Sequence, residues 1–297
     1  MYPNLRIIIL GVLTLFLVLT FVVEFRGEYG LKVYFFDVGQ GDSIFIETEE
    51  KKQILIDGGP DNKVVQKLSE AMPFWDRTID LVILTHPDKD HILGLIEVLK
   101  RYRVKGIIET GIECGKAECV VWKELKEKEK APVIFVKLGD SLILNENTKI
   151  LILNPFADMA GEKISKANNS SIVAKLIYDG YSILLTGDIE KHIEEKLVLA
   201  GVDIDSDYLK IPHHGSKTST TEEFLEKISP LSAFISLGKN NSYGHPHDEV
   251  TGRLEKRNIK YYRTDELGTI LLSCKFNEPC SVKFQIPNSK IQITNDK

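Results

Sequence analysis

The chain has no excess of basic residues. Its 38 lysines and arginines are outnumbered by 43 aspartates and glutamates, giving a formal charge of −5 over 297 residues. That excludes the global positive footprint that nucleic-acid binders often carry, although bound cations would supply positive charge locally. Cysteine is scarce: four residues, none in the tight Cys-x-x-Cys spacing of a zinc ribbon. No low-complexity linker divides the chain and no short internal repeat is evident, so residues 30–290 read as one domain and 291–297 as a tail.

One long run lacks charge altogether, Ile7 to Val23 (IIILGVLTLFLVLTFVV), at the short end of a membrane span. No small-residue cleavage pattern follows it, so residues 1–29 read as an uncleaved anchor; a cleaved signal or a buried core helix are the alternatives. Arg6 and the amino terminus precede the run, whereas Glu24, Arg26 and Glu28 nearly balance after it. The expected orientation puts the amino terminus in the cytoplasm and the rest of the chain outside. Cys114 with Cys119 and Cys274 with Cys280 are close enough for two short-range disulfides, which suit that compartment; free thiols or a four-cysteine metal site are the alternatives.

Beyond the anchor, short apolar strands at Leu31 to Asp37, Ser43 to Glu47 and Gln53 to Asp57 form an antiparallel meander. A helix at Val64 to Met72 and a strand at Asp80 to Thr85 follow. Further strands are expected at Val104 to Glu109 and Val133 to Val136, a charged surface helix at Val120 to Lys130, and a hairpin within Ser141 to Leu153. Ile172 to Tyr178 and Tyr181 to Thr186 pair across Asp179-Gly180, a strong hairpin signal. Helices at Ile189 to Ala200, Glu222 to Ile228 and Asp248 to Arg257 alternate with strands at Tyr208 to Pro212 and Ala233 to Leu237. Strands Gly268 to Cys274 and Ser281 to Ile286 close the chain. Two packed sheets with helices outside are expected.

The chemistry concentrates after the strand that ends at Thr85. His86, Asp88, Asp90 and His91 fall within six residues on a tight loop between strand and helix. Two imidazoles and two carboxylates forced together suit one or two divalent cations. The plainer alternative, a polar loop with helix-capping aspartates, has no need of two histidines. Asp57 ends a strand before Gly58-Gly59 and reads as a support that hydrogen-bonds the metal loops. Asp42 and Gln40 lie in a glycine-rich turn as further supports. His245 and His247 share a polar loop with Lys239, Asn240, Asn241 and Ser242, where they could bind phosphate or protonate a leaving oxygen; a surface turn is the alternative. Ser216 and Lys217 could touch substrate phosphate, though a turn before a helix explains them nearly as well. His192, on a charged helix, reads as surface.

In order, Asp57-Gly-Gly, His86-x-Asp88-x-Asp90-His91, Gly187-Asp188 and His213-His214-Gly resemble the metallo-β-lactamase superfamily over nearly all of the chain after the anchor. Asp37-Val-Gly-Gln-Gly-Asp42-Ser and Tyr243-Gly-His245-Pro-His247 narrow the resemblance to the carboxy-terminal hydrolase domain of ComEC-type competence proteins. It implies an αββα sandwich, here preceded by a single transmembrane helix, with metals at the sheet edges. By the same resemblance His86 and Asp88 hold a first metal, Asp90 and His91 a second, Asp188 bridges them, and His214 completes the second site with His213 as runner-up. The sequence departs from the commonest pattern at Asp88, which replaces a histidine, and at Asn168-Asn169-Ser170, where a third histidine is missing. Asn169 could offer a weak carbonyl ligand; a turn or cap is its plainer role. A site poor in imidazole makes manganese, or a single cation, an alternative to zinc.

The expected function is a membrane-anchored, extracytoplasmic, metal-dependent phosphodiesterase or nuclease, with Asp90 and His245 as catalytic residues. Single-stranded DNA is the leading substrate by resemblance, and no obligate protein partner is inferred. Lys210, Lys217, Lys239 and Arg253 could form a small basic patch for it. Hydrolysis of a carbonyl substrate, a lactam or thioester, is the alternative on the same fold; a metal-binding protein without turnover is a third reading.

Overall fold

The computed structural model describes residues 9, 11–14, 16, 30–284 and 292–295. The apolar run at residues 7–23 lies largely outside them, and among the described residues no helix is long and apolar enough to cross a membrane.

The strands from Leu31 to Ile56 are apolar on both faces because both faces are covered. Leu31, Val33, Phe35, Ile44, Ile46, Ile54 and Ile56 point into a core shared with the second sheet. Phe36, Phe45 and Leu55 point the other way, against helices Lys63–Ala71, Lys89–Leu99 and Ala117–Glu129. In the second sheet Ile150, Ile152, Leu176 and Ile183 face the shared core, while Leu184, Leu209 and Ile235 meet Lys191–Leu199, Glu222–Ile228 and Asp248–Lys256. The result is helices, sheet, sheet, helices: the expected αββα sandwich.

Among the described residues the first sheet has nine strands, in the order Gln292–Asn295, Ser281–Phe284, Ile270–Lys275, Gly30–Phe35, Ile44–Glu47, Gln53–Ile56, Leu81–Ile83, Ile107–Glu109 and Val133–Phe135. It is antiparallel up to Gln53–Ile56 and parallel beyond. The second has seven: Lys260–Arg263, Ser232–Ile235, Tyr208–Lys210, Tyr181–Leu185, Val173–Tyr178, Thr148–Asn154 and Ser141–Ile143. Each half thus joins a hairpin-linked antiparallel part to a parallel part entered through helices, and parallel strands end in loops at one edge, where ligands bind in such sheets.

Local chemistry sets several boundaries. Asp179 and Gly180 both have positive φ (47° and 83°), as the tight turn between paired strands demands. Thr221 accepts the Phe224 N–H at 3.4 Å and caps Glu222–Ile228, whose first turn holds Glu222 and Glu223 against the helix dipole. Both cysteine pairs are bonded, Cys114–Cys119 at the start of a helix and Cys274–Cys280 across the turn between strands Ile270–Lys275 and Ser281–Phe284. The strand expected at Val104 to Glu109 is two: Arg103–Val104 pairs with Thr78–Ile79, and Ile107–Glu109 joins the first sheet. Strand Lys260–Arg263 was not foreseen; it is a four-residue edge strand in which only Tyr262 is buried, too short for a clear alternation.

Candidate metal centre

The centre is assembled by close backbone packing. The turn Asp57-Gly58-Gly59 lies directly on helix Lys89–Leu99: a side chain on Gly58 would strike the backbone of Gly94 and Leu95, and one on Gly94 would strike the Gly58 carbonyl. Gly58 N–H donates to His91 O (2.8 Å) and Gly94 N–H to Gly59 O (3.0 Å). Gly41, at φ +141°, brings the first loop against the Asp90 backbone, where Asp42 N–H donates to Asp90 O at 3.2 Å. These contacts fix the first loop and the helix start against one another.

Three imidazoles are then locked by their outer nitrogens. His91 Nδ1–H donates to Asp57 Oδ2 at 2.8 Å. His214 Nδ1–H donates to the Ser236 carbonyl at 2.8 Å, with Asp42 Oδ1 at 3.4 Å. Thr85 Oγ1 gives its own hydrogen to Asp57 (2.6 Å), so it accepts from His86 Nδ1–H at 3.0 Å. Each histidine therefore turns Nε2 inward, and all three Nε2 atoms are buried without a hydrogen-bond partner. Buried polar atoms are seldom left so, and an orphan on this scale calls for a ligand. Outer-nitrogen hydrogen bonds to carboxylate or carbonyl are the arrangement that orients a metal-ligating imidazole.

Carboxylates meet these nitrogens. Asp188 Oδ2 lies 3.2 Å from both His91 Nε2 and His214 Nε2, and Asp90 Oδ2 lies 3.3 Å from His214 Nε2. Ligand atoms of Asp90, His91, Asp188 and His214 all fall within 4.8 Å of one another. His86 and Asp88 form a looser annex: His86 Nε2 is 3.7 Å from Asp88 Oδ2, and the His86 and His91 rings are 4.1 Å apart. Asp88 occupies the first position before helix Lys89–Leu99, yet makes no capping hydrogen bond; its side chain faces His86 and Lys116 instead. The plain helix-cap reading fails for it.

The charges point the same way. Burial would lower the His91 and His214 pKa values, but neighbouring carboxylates, Asp188 foremost, outweigh it and raise both well above the usual imidazole value. Burial would raise Asp188, yet His214 and His91 hold it far below the carboxylate range, and Asp90 is depressed in the same way. His86 is pushed down to about 4, first by burial and then by the charge on His91. Asp42, Asp57 and Asp188 lie about one buried ammonium, Lys210, and Asp88 and Asp90 bring two further carboxylates to the centre, Asp88 shared with Lys116. That surplus suits cations, and so does the mixed oxygen and imidazole donor set.

Lys210 corrects the sequence reading. It is wholly buried, ion-paired to Asp42, 3.6 Å from Asp188 Oδ1, and donates to Gly187 O at 3.1 Å. It cannot belong to a surface patch; Arg253 is half-buried, its guanidinium donating to the Ser219 and Thr220 carbonyls (3.2 and 2.9 Å). Strand Tyr208–Lys210 has parallel neighbours on both sides, and strands so placed are buried on both faces.

The remaining expected residues divide. His213 turns away, its Nε2 3.3 Å from Asn168 Nδ2, so His214 alone of that pair enters the cluster. Asn169 lies in the short helix Ala167–Ser170, its Oδ1 buried and without a partner. Ser216 is buried and its hydroxyl lies 3.0 Å from Thr218 Oγ1; Lys217 and Lys239 are exposed. Gln40 accepts from Gly238 N–H (3.1 Å), so its NH2 faces His245 Nδ1 at 3.4 Å and leaves the His245 proton on Nε2. Burial, then the charges of His214 and its neighbours, lower the His245 pKa to about 4. At neutral pH His245 is thus a neutral hydrogen-bond donor, its ring 6.4 Å from that of His214. His247 Nδ1 accepts from Lys217 N–H at 3.3 Å and ties the two histidine loops together. His192 is exposed.

The family model for the metallo-beta-lactamase superfamily matches residues 36–239. ComE operon protein 3 of Bacillus subtilis is 36% identical over 252 residues, 79% of this chain and 32% of that protein. Competence protein ComA of Neisseria gonorrhoeae is 29% identical over 239 residues, 79% of this chain and 31% of that one. The chain spans about a third of the length of these curated relatives. Among solved structures, YhfI of Bacillus subtilis aligns with a TM-score of 0.55 at 11% identity, covering 82% of this chain and 100% of that one. The diiron β-hydroxylase CmlA of Streptomyces venezuelae aligns with a TM-score of 0.54 at 15% identity, covering 83% and 54%. At these identities the two structures share the fold.

Proposed function

The chain belongs to the metallo-β-lactamase superfamily, and on that footing we propose that it is a membrane-anchored, metal-dependent phosphodiesterase or nuclease, with single-stranded DNA its leading substrate. The observation that carries the reading is the convergence of three orphaned, buried imidazole nitrogens with a surplus of carboxylates. The competence relatives support a DNA-related substrate.

Asp90, His91, Asp188 and His214 would hold one cation, and His86 with Asp88 a second, zinc or manganese in either place. Bound there, divalent cations would supply Lewis acidity for a phosphoryl oxygen and a water acidified toward neutral pH. The chain does the positioning. Asp57, Thr85 and the Ser236 carbonyl hold the imidazoles with Nε2 inward. Lys210 keeps Asp42 and Asp188 ionised within the core. Asp90 stays a carboxylate at any working pH, so it ligates and orients rather than taking up a proton. His245, neutral and with Nε2–H outward from Gln40, donates a hydrogen bond to a phosphoryl or leaving oxygen. Residues 7–23 anchor the chain with the hydrolase domain outside the cytoplasm, a reading supported by the two disulfides.

The test uses the full chain in detergent, stripped of metal and reloaded with manganese or zinc. It is assayed on bis-p-nitrophenyl phosphate, labelled single-stranded DNA and a chromogenic lactam. Metal-dependent phosphodiester cleavage that disappears in His91→Ala and Asp188→Ala is the expected result. Turnover of the lactam alone would overturn it in favour of carbonyl hydrolysis.

A further inference from the structure

The geometry points to Lys116 as a substrate-positioning residue for the phosphate of an anionic substrate, placed by the Cys114–Cys119 disulfide; this rests on the phosphodiesterase reading. Lys116 Nζ lies 2.5 Å from Asp88 Oδ1, and the other oxygen of the same carboxylate is 3.7 Å from the orphaned Nε2 of His86. The ammonium is one carboxylate away from the cluster. Half of its side chain is exposed, 51%, whereas Lys210 is fully enclosed. Lys210 can only balance charge inside the protein; Lys116 can meet a ligand from solvent.

Its backbone is held on several sides. The disulfide closes the loop that contains it, since Lys116 stands between Cys114 and Cys119 and directly before helix Ala117–Glu129. That helix is pinned from within, where the buried Trp122 donates its indole N–H to Glu109 Oε2 at 2.8 Å and Lys126 pairs with Glu109 Oε1. The incoming loop is tied across to the second sheet's side by Glu113 N–H to Glu162 O and Gly161 N–H to Gly111 O, both 2.8 Å. A lysine is a flexible point charge; here its root is fixed.

An exposed salt bridge contributes little to stability, commonly about 0–1 kcal/mol, and would not require this scaffold. Electrostatics gives a stronger reason. With a divalent cation held at Asp88, the carboxylate charge that Lys116 shares would be drawn away from it. A monovalent and a divalent positive group are then left close together, an arrangement that favours an anion between or beside them. A phosphodiester's non-bridging oxygen fits; a neutral carbonyl substrate does not. Lys116 therefore separates anionic from neutral substrates at the rim of the site.

The test compares wild type with Lys116→Met, Lys116→Arg and the double variant Cys114→Ser/Cys119→Ser, as full chains in detergent, with folding checked by Tm. Three quantities are measured: manganese affinity by calorimetry, the affinity of the manganese-loaded protein for inorganic phosphate, and KM and kcat on bis-p-nitrophenyl phosphate. Lys116→Met should weaken phosphate binding and raise KM about tenfold, in keeping with a lost charge-assisted hydrogen bond. It should change kcat less and leave manganese binding equal or tighter, because a competitor for Asp88 is gone. Lys116→Arg should recover most of the loss, and the cysteine variant should reproduce it without lowering manganese affinity. Unchanged phosphate affinity in Lys116→Met, or wild type that binds no phosphate, would overturn the role. Parallel loss of manganese and phosphate would assign Lys116 to the metal site's stability instead. A cysteine variant that binds phosphate like wild type would overturn the disulfide's part. Wild type that binds phosphate without cleaving the diester would fail the phosphodiesterase reading while leaving phosphate binding by Lys116 measurable.

Discussion

The two halves of the centre are built to different standards. Around Asp188, four ligand groups fall within 4.8 Å of one another; three of them are buried, and the two imidazoles are locked by Asp57 and by the Ser236 carbonyl. Around Asp88, a single buried imidazole meets a carboxylate that is 29% exposed and already shared with Lys116. Pre-orientation removes most of the cost of gathering ligands, so the first half should bind a cation tightly and the second weakly and exchangeably. The difference teaches that replacing a histidine by Asp88 does more than swap a ligand: it opens this half to an outside cation and to solvent.

The comparison breaks most decisively at Asp188. Asp188→Ala should cost activity and metal affinity well beyond the roughly 10–100-fold typical of an outer hydrogen-bonding partner, because Asp188 touches both His91 and His214. Metal titration by calorimetry checks it; a residual tight site would mean that Asp90, His91 and His214 suffice.

Lys210→Met tests the support beneath the tight half. Removing the ammonium leaves Asp42 and Asp188 buried beside one another without their cation, and breaking such a buried pair costs about 3–5 kcal/mol. Urea unfolding should show that loss in the metal-free protein and a smaller one with manganese present, since a cation replaces part of the missing charge.

The pH dependence follows from the same groups. In the metal-free protein His91 and His214 titrate above the ordinary imidazole value of about 6.5. Their contribution to stability is complete below that value and is lost as pH rises through the elevated values. Asp90 and Asp188 titrate below the ordinary carboxylate value, so their contribution is present above about 3.9 and is lost only as pH falls through the depressed values. These four groups favour the metal-free fold most between those limits, but His86 and His245, both pushed down to about 4, take stability away as pH falls below about 6.5, so the maximum lies toward the neutral end and the fold weakens toward alkaline pH. Metal affinity should rise over the same alkaline range, because His91 and His214 must lose protons to bind. Tm measured with and without manganese from pH 6 to 8 should show a widening gap; a constant gap would mean the imidazoles are already neutral.

The sequence made the tight half legible because its ligands occur in short blocks, His86 to His91 and His213-His214, at the ends of apolar strands. Two packed sheets were legible too, from strand meanders that alternate twice with helices. Lys210 and Lys116 were not. A lysine is ordinarily a surface residue, and what makes Lys210 different is a long-range contact with Asp42, 168 positions earlier. Lys116 had a local sign, its place between two cysteines, but its partner Asp88 comes from another element. Edge strand Lys260–Arg263 was hidden by brevity. What sequence blocks disclose is which side chains gather; what they conceal is the charge balance supplied by residues far away along the chain.

Asp88→Asn gives the smallest effect and the sharpest separation of the halves. The amide keeps the size of the carboxylate and can still accept from Lys116, but it loses the charge that draws a second cation. The tight cation should bind as before, because the side chains of Asp90, His91, Asp188 and His214 make no hydrogen bond to the Asp88 carboxylate, and the His91 backbone N–H donates to the Asp88 backbone carbonyl, which the substitution keeps. Only the weaker binding event should soften, by about tenfold, the value of one charge-assisted contact. Manganese titration would read this as a shift in the second of two transitions with the first fixed. If both transitions moved together, the halves would be one coupled site, and the exposure of Asp88 would then govern the whole centre instead of its rim.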